Sequence, residues 1–358
     1  MDNIHKVYTD SKSNNSLGEI EMKIAAMFAN GSGGTVDRPD PQPVDDFVLV
    51  KIRSVPMCTE YKSFKREREQ DAVGFGHEVT GAVVEVAQSG RVKVGDRVVV
   101  QPGRSCGTCW LCLDGEHIHC QNGRRLPEGQ TARHTYAQYI LKPDWLLSPF
   151  PEDISYQHAG MACCGLGPTF GAMQQMNVNA LDTVMITGMG PVGLGGVVNG
   201  HYRGAKVIAV ESQPFRANLA QELGAITVFD PIDESILDKI MDLTDGLGVD
   251  KALDCSGASA AHRLMVDALR RKGQACFIGE GGDFPLGASR DMIRKGIILR
   301  GNWHYKLSDF PALIKVIGQV DEQLDKLITH QYGMSQVQQA WEQQCTGNAG
   351  KVVLDPWA

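Results

Sequence analysis

The sequence contains no apolar run long enough to cross a bilayer and no excess of positive charge. A membrane-spanning helix needs about 18 or more consecutive, mostly apolar residues, and none occurs in the 358 residues. Lys and Arg number 35 against 42 Asp and Glu, which gives a formal net charge of −7. Nucleic-acid-binding domains usually present a basic face. We therefore expect neither a membrane nor a nucleic acid as the main partner.

Export signals, internal repeats and low-complexity segments are also missing. Residues 1–21 are polar and mixed in charge, without the apolar stretch of a secretory signal. We predict that they form a polar extension before a first strand near Met22, and that the protein is cytoplasmic. In a reducing compartment, the ten cysteines are more readily ligands or core residues than disulfides.

The hydrophobic pattern changes along the chain in a way that indicates two domains. Residues 22–165 contain short apolar runs separated by Gly, Pro, Asp and Ser clusters, which is typical of an all-β region with loops. Residues 166–303 alternate short buried strands with helical stretches, which predicts a parallel sheet with right-handed crossovers. After residue 303 come two helical stretches and a terminal strand, Lys351–Leu354.

Four cysteines lie within fifteen residues, in the spacing C-x2-C-x2-C-x7-C. They are Cys106, Cys109, Cys112 and Cys120. One tetrahedral zinc ion takes four such ligands, and a closed shell of four thiolates leaves no position for substrate. An iron–sulfur site is the alternative, but the bacterial ferredoxin run has three residues before its last cysteine, not seven. The cluster therefore predicts a structural zinc, and a second, more open zinc site elsewhere.

A glycine-rich turn, G-M-G-P-V-G, follows a predicted strand and precedes a predicted helix, as in dinucleotide-binding folds. Glu211 sits 23 positions after the first glycine, at the end of the next strand. Such a residue accepts hydrogen bonds from the ribose of NAD and repels the 2′-phosphate of NADP. Arg216 complicates the preference, because an arginine near the ribose can accommodate that phosphate. We predict NAD as the cofactor, bound by Gly188, Gly190, Pro191, Val192, Gly193, Glu211 and Arg216.

A catalytic zinc typically has three protein ligands and one open position. Outside the four-cysteine loop, the candidates are Cys58, His77, Glu78, Cys163, Cys164, Cys255, Cys276 and Cys345. Cys163 and Cys164 fall at the boundary between the two predicted regions, and ligand pockets favour domain interfaces. We assign the last three cysteines to the core, since an isolated cysteine usually behaves as a small buried hydrophobe.

Together these motifs resemble those of the zinc-dependent alcohol dehydrogenases of the medium-chain dehydrogenase/reductase superfamily. The resemblance runs from Met22 to the C-terminus and includes the cysteine loop, the G-H-E motif at Gly76–Glu78, the G-M-G-P-V-G turn and the phrase Leu327–His330. It implies an α/β fold in which a GroES-like, β-rich catalytic domain, 22–165 and 304–358, is interrupted by a doubly wound Rossmann domain, 166–303. It also implies a dimer or a tetramer.

The resemblance implies two zinc ions in each chain, one catalytic and one structural. The implied ligands of the catalytic zinc are Cys58, His77, Cys164 and, as an alternating or neighbouring ligand, Glu78. Cys164 is preferred to Cys163 because its distance from Gly171–Ala172 matches the family spacing. Cys163 would then point into the core.

The chain departs from the family pattern after Cys58. The family usually has Cys, any residue, Ser or Thr, and then Asp, whereas here Thr59, Glu60 and Tyr61 follow directly. A one-residue deletion would make Thr59 the proton-relay hydroxyl and Glu60 the acid that supports the metal ligands. Without a deletion, Glu60 holds the relay position; our choice for the relay is Thr59. The loop from Cys58 to His77 is also short, which predicts a wider or differently lined pocket.

The predicted function is hydride transfer between NAD and an alcohol, either a polyol or another hydroxylated metabolite. One alternative is a dehydrogenase of a specialised amino-sugar, hydroxy-acid or phosphonate alcohol, which the polar stretch around Gln101, Pro102 and Arg104 favours over a purely aliphatic substrate. Another alternative is a non-catalytic protein that uses the fold alone. The intact set of candidate zinc ligands argues against that third hypothesis.

Overall fold

The first part of the chain folds into short, mostly antiparallel strands. The structure is a computed structural model, which describes residues 21–358 apart from 129, 131 and 133. The predicted polar extension over 1–21 lies outside the described residues except for Glu21, which begins the first strand. The strands are β1 Glu21–Met27, β2 Gly33–Pro39, β3 Phe47–Pro56, β4 Ala72–Val73, β5 Thr80–Val86, β6 Arg97–Val100, β7 Tyr139–Pro143 and β8 Leu147–Pro149.

Strand β3 organises the larger β-sheet of this region. It pairs antiparallel with β5 and with β7, while β1, β2 and β4 form a separate three-stranded sheet. In the β3–β5 pair, Ser54 lies opposite Thr80. The loop that leaves the end of β3 and the turn that enters β5 therefore start side by side. This pairing brings Cys58 and the His77–Glu78 pair to one edge of the sheet.

The middle of the chain forms a six-stranded parallel sheet with helical crossovers. The strand order is β11-β10-β9-β12-β13-β14, and all neighbours are parallel. The elements are β9 Thr183–Thr187, α5 Pro191–Tyr202, β10 Lys206–Val210, α6 Pro214–Glu222, β11 Thr227–Phe229, α7 Ile236–Leu243, β12 Val249–Asp254, α8 Ser259–Ala268, β13 Leu269–Phe277 and β14 Ile298–Gly301.

The direction of winding reverses between β9 and β12, which are neighbours in the sheet although two strands separate them in sequence. In doubly wound sheets, ligands bind in the crevice beyond the carboxyl ends of the strands at such a reversal. Thr187 ends β9 and pairs with Asp254, the last residue of β12. The glycine-rich turn begins immediately after Thr187, so it lies in this crevice.

The chain then returns to the β-rich region. Its last elements are α9 Phe310–Ile317, α10 Asp321–Leu327, β15 Ile328–Gly333, α11 Val337–Cys345 and β16 Lys351–Asp355. Strand β16 pairs parallel with β15 and antiparallel with β3, where Leu354 lies opposite Val55. The last strand therefore adds to the sheet begun by residue 47. The predicted fold class, a β-rich GroES-like region combined with a doubly wound parallel sheet, is confirmed.

The remaining helices are short. Helices α1 Tyr61–Phe64 and α2 Trp110–Leu113 lie within the β-rich region, and α3 Tyr156–Gly160 and α4 Gly167–Gln175 lead from it to the parallel sheet. Across residues 21–358, with the three gaps given above, no helix is both long and apolar enough to span a membrane. In the β-rich core, the indole of Trp341 on α11 is fully buried and stacks on the ring of Phe64, with ring centroids 5.3 Å apart.

Helix α5 packs directly against the segment that joins α3 to α4. A Cβ atom added at Gly195 would lie 1.8 Å from the carbonyl oxygen of Gly165, which follows Cys164. Because that neighbour is backbone, it cannot move aside as a flexible side chain would. The absence of a side chain at Gly195 therefore fixes how closely the helix behind the glycine-rich turn approaches Cys164.

We predict that Gly195→Ala lowers the free energy of unfolding by about 3 kcal/mol, the upper range for overpacking a dense core. Gly301→Ala is the matched control, because a Cβ there would meet no atom within 4 Å; its stability should stay within about 0.5 kcal/mol of wild type. Urea unfolding followed by tryptophan fluorescence measures both values. Equal stability of the two variants would contradict the close contact.

Candidate active site

Four side chains from three stretches of the chain converge at the edge of the β-rich sheet. They are Cys58, His77, Glu78 and Cys164, and their ligand atoms all lie within 4.8 Å of one another. The distance from His77 Nε2 to Cys164 Sγ is 3.2 Å. Nitrogen and sulfur ligands of a tetrahedral zinc are about 3.6 Å apart, so the donor set suits zinc in both chemistry and spacing.

The carboxylate of Glu60 holds the His77 ring in place. Glu60 Oε1 lies 3.1 Å from His77 Nδ1, while Oε2 accepts hydrogen bonds from the backbone N–H of Cys58 and the hydroxyl of Tyr136, each at 3.0 Å. Burial alone would raise the pKa of Glu60, but the hydrogen bond with His77 lowers it to about 2. A carboxylate on Nδ1 leaves Nε2 free to bind a metal.

This contact favours the alignment with a one-residue deletion after Cys58, in which Glu60 supports the metal ligands. Thr59 lies between the two, with its side chain exposed. Its backbone carbonyl accepts a hydrogen bond from the N–H of Lys62, at the start of α1. Thr59 is therefore an exposed residue next to Cys58 in the chain, and its backbone carbonyl helps to start α1.

Glu78 forms a buried ion pair that was not predicted from the sequence. Both carboxylate oxygens accept hydrogen bonds from Lys351 Nζ, at 2.7 and 2.8 Å, and neither side chain has any exposed surface. Burial would lower the pKa of the Lys351 ammonium, but the charge of Glu78 raises it. Glu78 also accepts a hydrogen bond from the backbone N–H of Cys164 at 3.1 Å. The only sequence signal was a lysine at the start of an apolar strand.

The structure distinguishes the two adjacent cysteines. Cys164 joins the cluster, whereas the side chain of Cys163 is fully buried and faces the carbonyl oxygen of Val100 at 3.9 Å. Burial raises the pKa of the Cys163 thiol to about 12. Cys163 is thus a core residue in this fold. Of the two adjacent cysteines, Cys164 is the one that lies near His77.

The other four predicted zinc ligands also form one compact group. The Sγ atoms of Cys109 and Cys112 are 3.5 Å apart, while those of Cys106 and Cys112, and of Cys109 and Cys120, are 3.9 Å apart. Sulfur atoms bound to one tetrahedral zinc are about 3.8 Å apart. The four thiols therefore fit a single zinc ion with a closed shell.

The polar stretch just before this loop is partly buried and partly exposed. The side chain of Gln101 is fully buried; its amide donates to Ser148 Oγ at 3.0 Å and accepts from the Tyr305 hydroxyl at 2.9 Å. Pro102 is buried and Arg104 is exposed. The hydrogen-bonding capacity of Gln101 is thus used inside the protein, which removes one reason for predicting a polar substrate.

The glycine-rich turn lies at the crevice of the parallel sheet. Gly188 has a φ of +80°, and a Cβ added there would lie 2.7 Å from the Cβ of Ser256. At Gly190 a Cβ would meet nothing within 4 Å, so the turn leaves open space where a pyrophosphate would approach. Pro191, Val192 and Gly193 form the first turn of α5.

The two charged residues predicted near the ribose have different surroundings. Glu211 folds over the glycine-rich turn: its Oε2 accepts from the N–H of Met189 at 2.7 Å, and its Oε1 from the N–H groups of Ser212 and Gln213 at 2.8 Å each. Arg216 points elsewhere, with its Nε donating to the carbonyl oxygen of Ala349 at 3.1 Å.

Comparisons with known proteins agree with this architecture. Residues 44–152 match the family model for the alcohol dehydrogenase GroES-like domain, and residues 191–319 match the zinc-binding dehydrogenase model. The chain is 31% identical over 343 residues to the L-threonine 3-dehydrogenase of Pyrococcus furiosus, and 29% identical over 332 residues to the D-arabitol-phosphate dehydrogenase of Enterococcus avium. Both alignments cover 89% of this chain and 93% of the relative.

A solved structure is similar over almost the whole chain. The alcohol dehydrogenase of Thermotoga maritima superposes with a TM-score of 0.82 at 27% sequence identity, covering 94% of this chain and 99% of the other. The chain therefore belongs to the zinc-dependent alcohol dehydrogenase family of the medium-chain dehydrogenase/reductase superfamily. It is an oxidoreductase that acts on CH–OH groups, so the predicted enzyme class is confirmed.

We predict that Lys351→Met lowers the free energy of unfolding by about 3–5 kcal/mol, because it leaves Glu78 buried without its counter-charge. Adding Glu78→Gln should recover part of the loss, since no buried charge then remains. Lys315→Met, at an exposed position of α9, is the control and should change little. Urea unfolding of the three variants measures these values, and a loss below about 1 kcal/mol in Lys351→Met would count against a structurally important ion pair.

Proposed function

We propose that the protein oxidises a polyol or a related hydroxylated small molecule with NAD, at a centre formed by Cys58, His77 and Cys164. The observation that carries the proposal is that one imidazole and two thiols converge within bonding reach of one metal ion. Three protein ligands leave one position of a tetrahedral zinc open, as catalysis requires. When bound, zinc would supply a Lewis acid for the substrate oxygen, and NAD would supply the hydride acceptor.

The surrounding residues of the chain take supporting roles in this proposal. Glu60 fixes the orientation and tautomer of His77, and Lys351 holds the Glu78 carboxylate next to the ligands, where Glu78 serves as an alternating ligand. The exposed hydroxyl of Thr59 accepts the proton of the substrate hydroxyl and passes it on to solvent, as a positioned hydroxyl beside the reacting group can.

The four-cysteine loop takes a structural role in the proposal. Its residues Asp114 and Glu116 pair with Lys306 at 2.8 and 3.5 Å, and the carbonyl oxygen of Gly115 accepts a hydrogen bond from the N–H of Leu307. A zinc-held loop would thus brace the segment through which the chain leaves the parallel sheet. These contacts support a catalytic domain of residues 22–165 and 304–358 that is interrupted by a second domain of residues 166–303.

We further propose that the protein is a homo-oligomer, a dimer or a tetramer, in the cytoplasm. The support is two large apolar side chains of α2, Trp110 and Leu113, which are 73% and 76% exposed. Adjacent exposed apolar residues of this size commonly mark contact surfaces between proteins.

The surroundings of the glycine-rich turn support NAD over NADP. The Glu211 carboxylate lies over the turn, where it would meet the ribose hydroxyls and repel a 2′-phosphate. Arg216, the arginine considered above as a partner for the phosphate, is hydrogen-bonded to the backbone at Ala349 instead. The proposed cofactor contacts are therefore Gly188, Gly190, Pro191, Val192, Gly193 and Glu211, with Arg216 holding the C-terminal region.

Two buried histidines support a substrate with more than one hydroxyl group. Burial lowers the pKa of His304 to about 3 and that of His117 to about 4, so both rings are neutral near neutral pH. Among the described residues, both ring nitrogens of His304 and Nε2 of His117 have no hydrogen-bond partner. Buried polar atoms usually have partners, and a polyol hydroxyl would provide one. The named substrates of the two relatives are also polar and hydroxylated.

We predict that Cys164→Ser reduces the zinc content from two ions per chain to one and abolishes dehydrogenase activity, because it removes one of three ligands of the open site. Cys163→Ser is the matched control at the adjacent, buried position and should retain two zinc ions and activity. Atomic absorption on purified protein measures the metal. An active Cys164→Ser enzyme with two zinc ions would transfer the ligand role to Cys163.

We predict that the enzyme prefers NAD to NADP by at least about tenfold in kcat/KM, and that Glu211→Ala narrows the ratio by removing the carboxylate that repels the 2′-phosphate. Glu222→Ala, at an exposed position of α6, is the control and should keep the wild-type ratio. Steady-state rates with each cofactor measure it. A wild-type preference for NADP would defeat the assignment.

A panel of substrates tests the proposed function. Polyols, phosphorylated polyols, hydroxy acids and hydroxy amino acids are compared with simple primary alcohols, following NADH absorbance. We expect higher kcat/KM with the multiply hydroxylated compounds, and a selective loss of that advantage in His304→Phe, which keeps the aromatic stack on Tyr305. Highest activity with unsubstituted alcohols would contradict the proposed substrate class.

A further inference from the structure

A second buried carboxylate organises the cofactor crevice in the same way that Glu78 organises the metal cluster. Asp254, the last residue of β12, has no exposed surface. Its Oδ1 accepts hydrogen bonds from the hydroxyl of Thr187 at 2.7 Å and from the hydroxyl of Ser256 at 2.6 Å. Its Oδ2 accepts from the N–H of Gly257 at 2.9 Å and lies 3.0 Å from His262 Nε2. One carboxylate thus joins β9, the turn after β12, and helix α8.

His262 is the only one of these donors that reaches Asp254 from a helix. Its ring is buried on α8, perpendicular to Phe277 with ring centroids 5.1 Å apart and 5.4 Å from the ring of Phe284. Because a carboxylate oxygen is the partner of Nε2, this nitrogen carries the proton. Nδ1 is buried and has no hydrogen-bond partner among the described residues. The imidazole therefore makes one hydrogen bond here, and that bond goes to Asp254.

The turn that Asp254 holds lies against the glycine-rich turn. Ser256 is the residue that a Cβ on Gly188 would strike, at 2.7 Å from its Cβ. On its other side, Gly257 has a φ of +72°, and a Cβ there would lie 2.3 Å from the carbonyl oxygen of Glu280. The turn 255–257 is therefore confined between two loops at the mouth of the crevice, and its position sets the shape of the space beside Gly188–Gly190.

We propose that His262 is a positioning residue for the dinucleotide: by holding Asp254, it keeps the turn 255–257 against the glycine-rich turn in the geometry that binds the cofactor. The inference rests on the proposed NAD site. It concerns a residue that acts on this site through Asp254 and the turn 255–257. Without the imidazole donor, the buried carboxylate of Asp254 loses one of its fixed partners. The backbone N–H of Gly257, which donates to the same carboxylate, then has a less firmly held acceptor.

The alternative role for His262 is that of a core residue that stabilises the fold only. Three variants separate the two roles. His262→Leu removes the donor and keeps an apolar side chain between the phenylalanines, while His262→Gln restores an N–H donor at a reach similar to that of Nε2. Arg263→Gln, the adjacent position on α8, breaks ion pairs with Asp267 and Asp291 without touching Asp254.

The test is titration of each zinc-loaded enzyme with NADH and, separately, NADPH, followed by nucleotide fluorescence well below the unfolding temperature. We expect a roughly tenfold weaker Kd for His262→Leu, the scale of one hydrogen bond to a charged group. His262→Gln should stay within about threefold of wild type, and Arg263→Gln should bind like wild type even where its melting temperature falls. In steady state, the KM for NAD should rise in His262→Leu while the KM for the alcohol stays constant.

Two outcomes overturn the inference alone: wild-type affinity in a destabilised His262→Leu, or equal losses in folded His262→Leu and His262→Gln. A wild-type enzyme that binds neither nucleotide overturns the proposed cofactor together with the inference, so the two failures are distinguishable. If His262→Leu does not fold, Thr187→Val is the second variant. It removes the hydroxyl that donates to the Asp254 carboxylate, and valine keeps the branched side chain that is favourable in a strand. It should weaken NADH binding to a similar extent, and unchanged binding there would also overturn the inference.

Discussion

The buried ion pair between Glu78 and Lys351 is the interaction on which the arrangement of Cys58, His77 and Cys164 depends. Two charges removed from water are costly unless each is well paired, and here the ammonium meets both carboxylate oxygens. The same carboxylate accepts the backbone N–H of Cys164 and follows His77 in the chain. One pair thus ties the last strand, the turn before β5 and the segment after α3 into a single arrangement.

Carboxylates with little or no exposed surface hold neighbouring groups in place at three points of this chain. Glu60 orients the imidazole of His77, Glu78 anchors the backbone at Cys164, and Asp254 gathers the turns around the proposed cofactor. A carboxylate has several acceptor sites in a fixed plane, so it can hold several donors at set distances from one another. In a low-dielectric interior, hydrogen bonds of this kind are stronger than in water and make an arrangement more rigid.

The features predicted from sequence were those encoded in short spacing. The four-cysteine loop, the G-H-E motif and the glycine-rich turn each fix local geometry, and they sufficed for the fold class and the family. Contacts between distant positions carried no local signal. Lys351 lies 273 residues from Glu78. The two side chains are brought together only when β16 pairs with β3, so nothing in the sequence around Lys351 indicates its partner. The exclusion of Cys163 from the cluster likewise depends on which way the backbone turns before α4, and the use of Gln101 depends on Tyr305 arriving from beyond the parallel sheet.

Strand β16 has a consequence for the time at which the enzyme matures. It is the last strand described in the chain, yet it supplies Lys351 to a cluster whose other members come from the first half. When Cys58, His77 and Glu78 of a nascent chain have left the ribosome, Lys351, whose charge stabilises their arrangement, has not yet been synthesised. Translation therefore separates the synthesis of Cys58, His77 and Glu78 from the formation of the ion pair that holds their arrangement together.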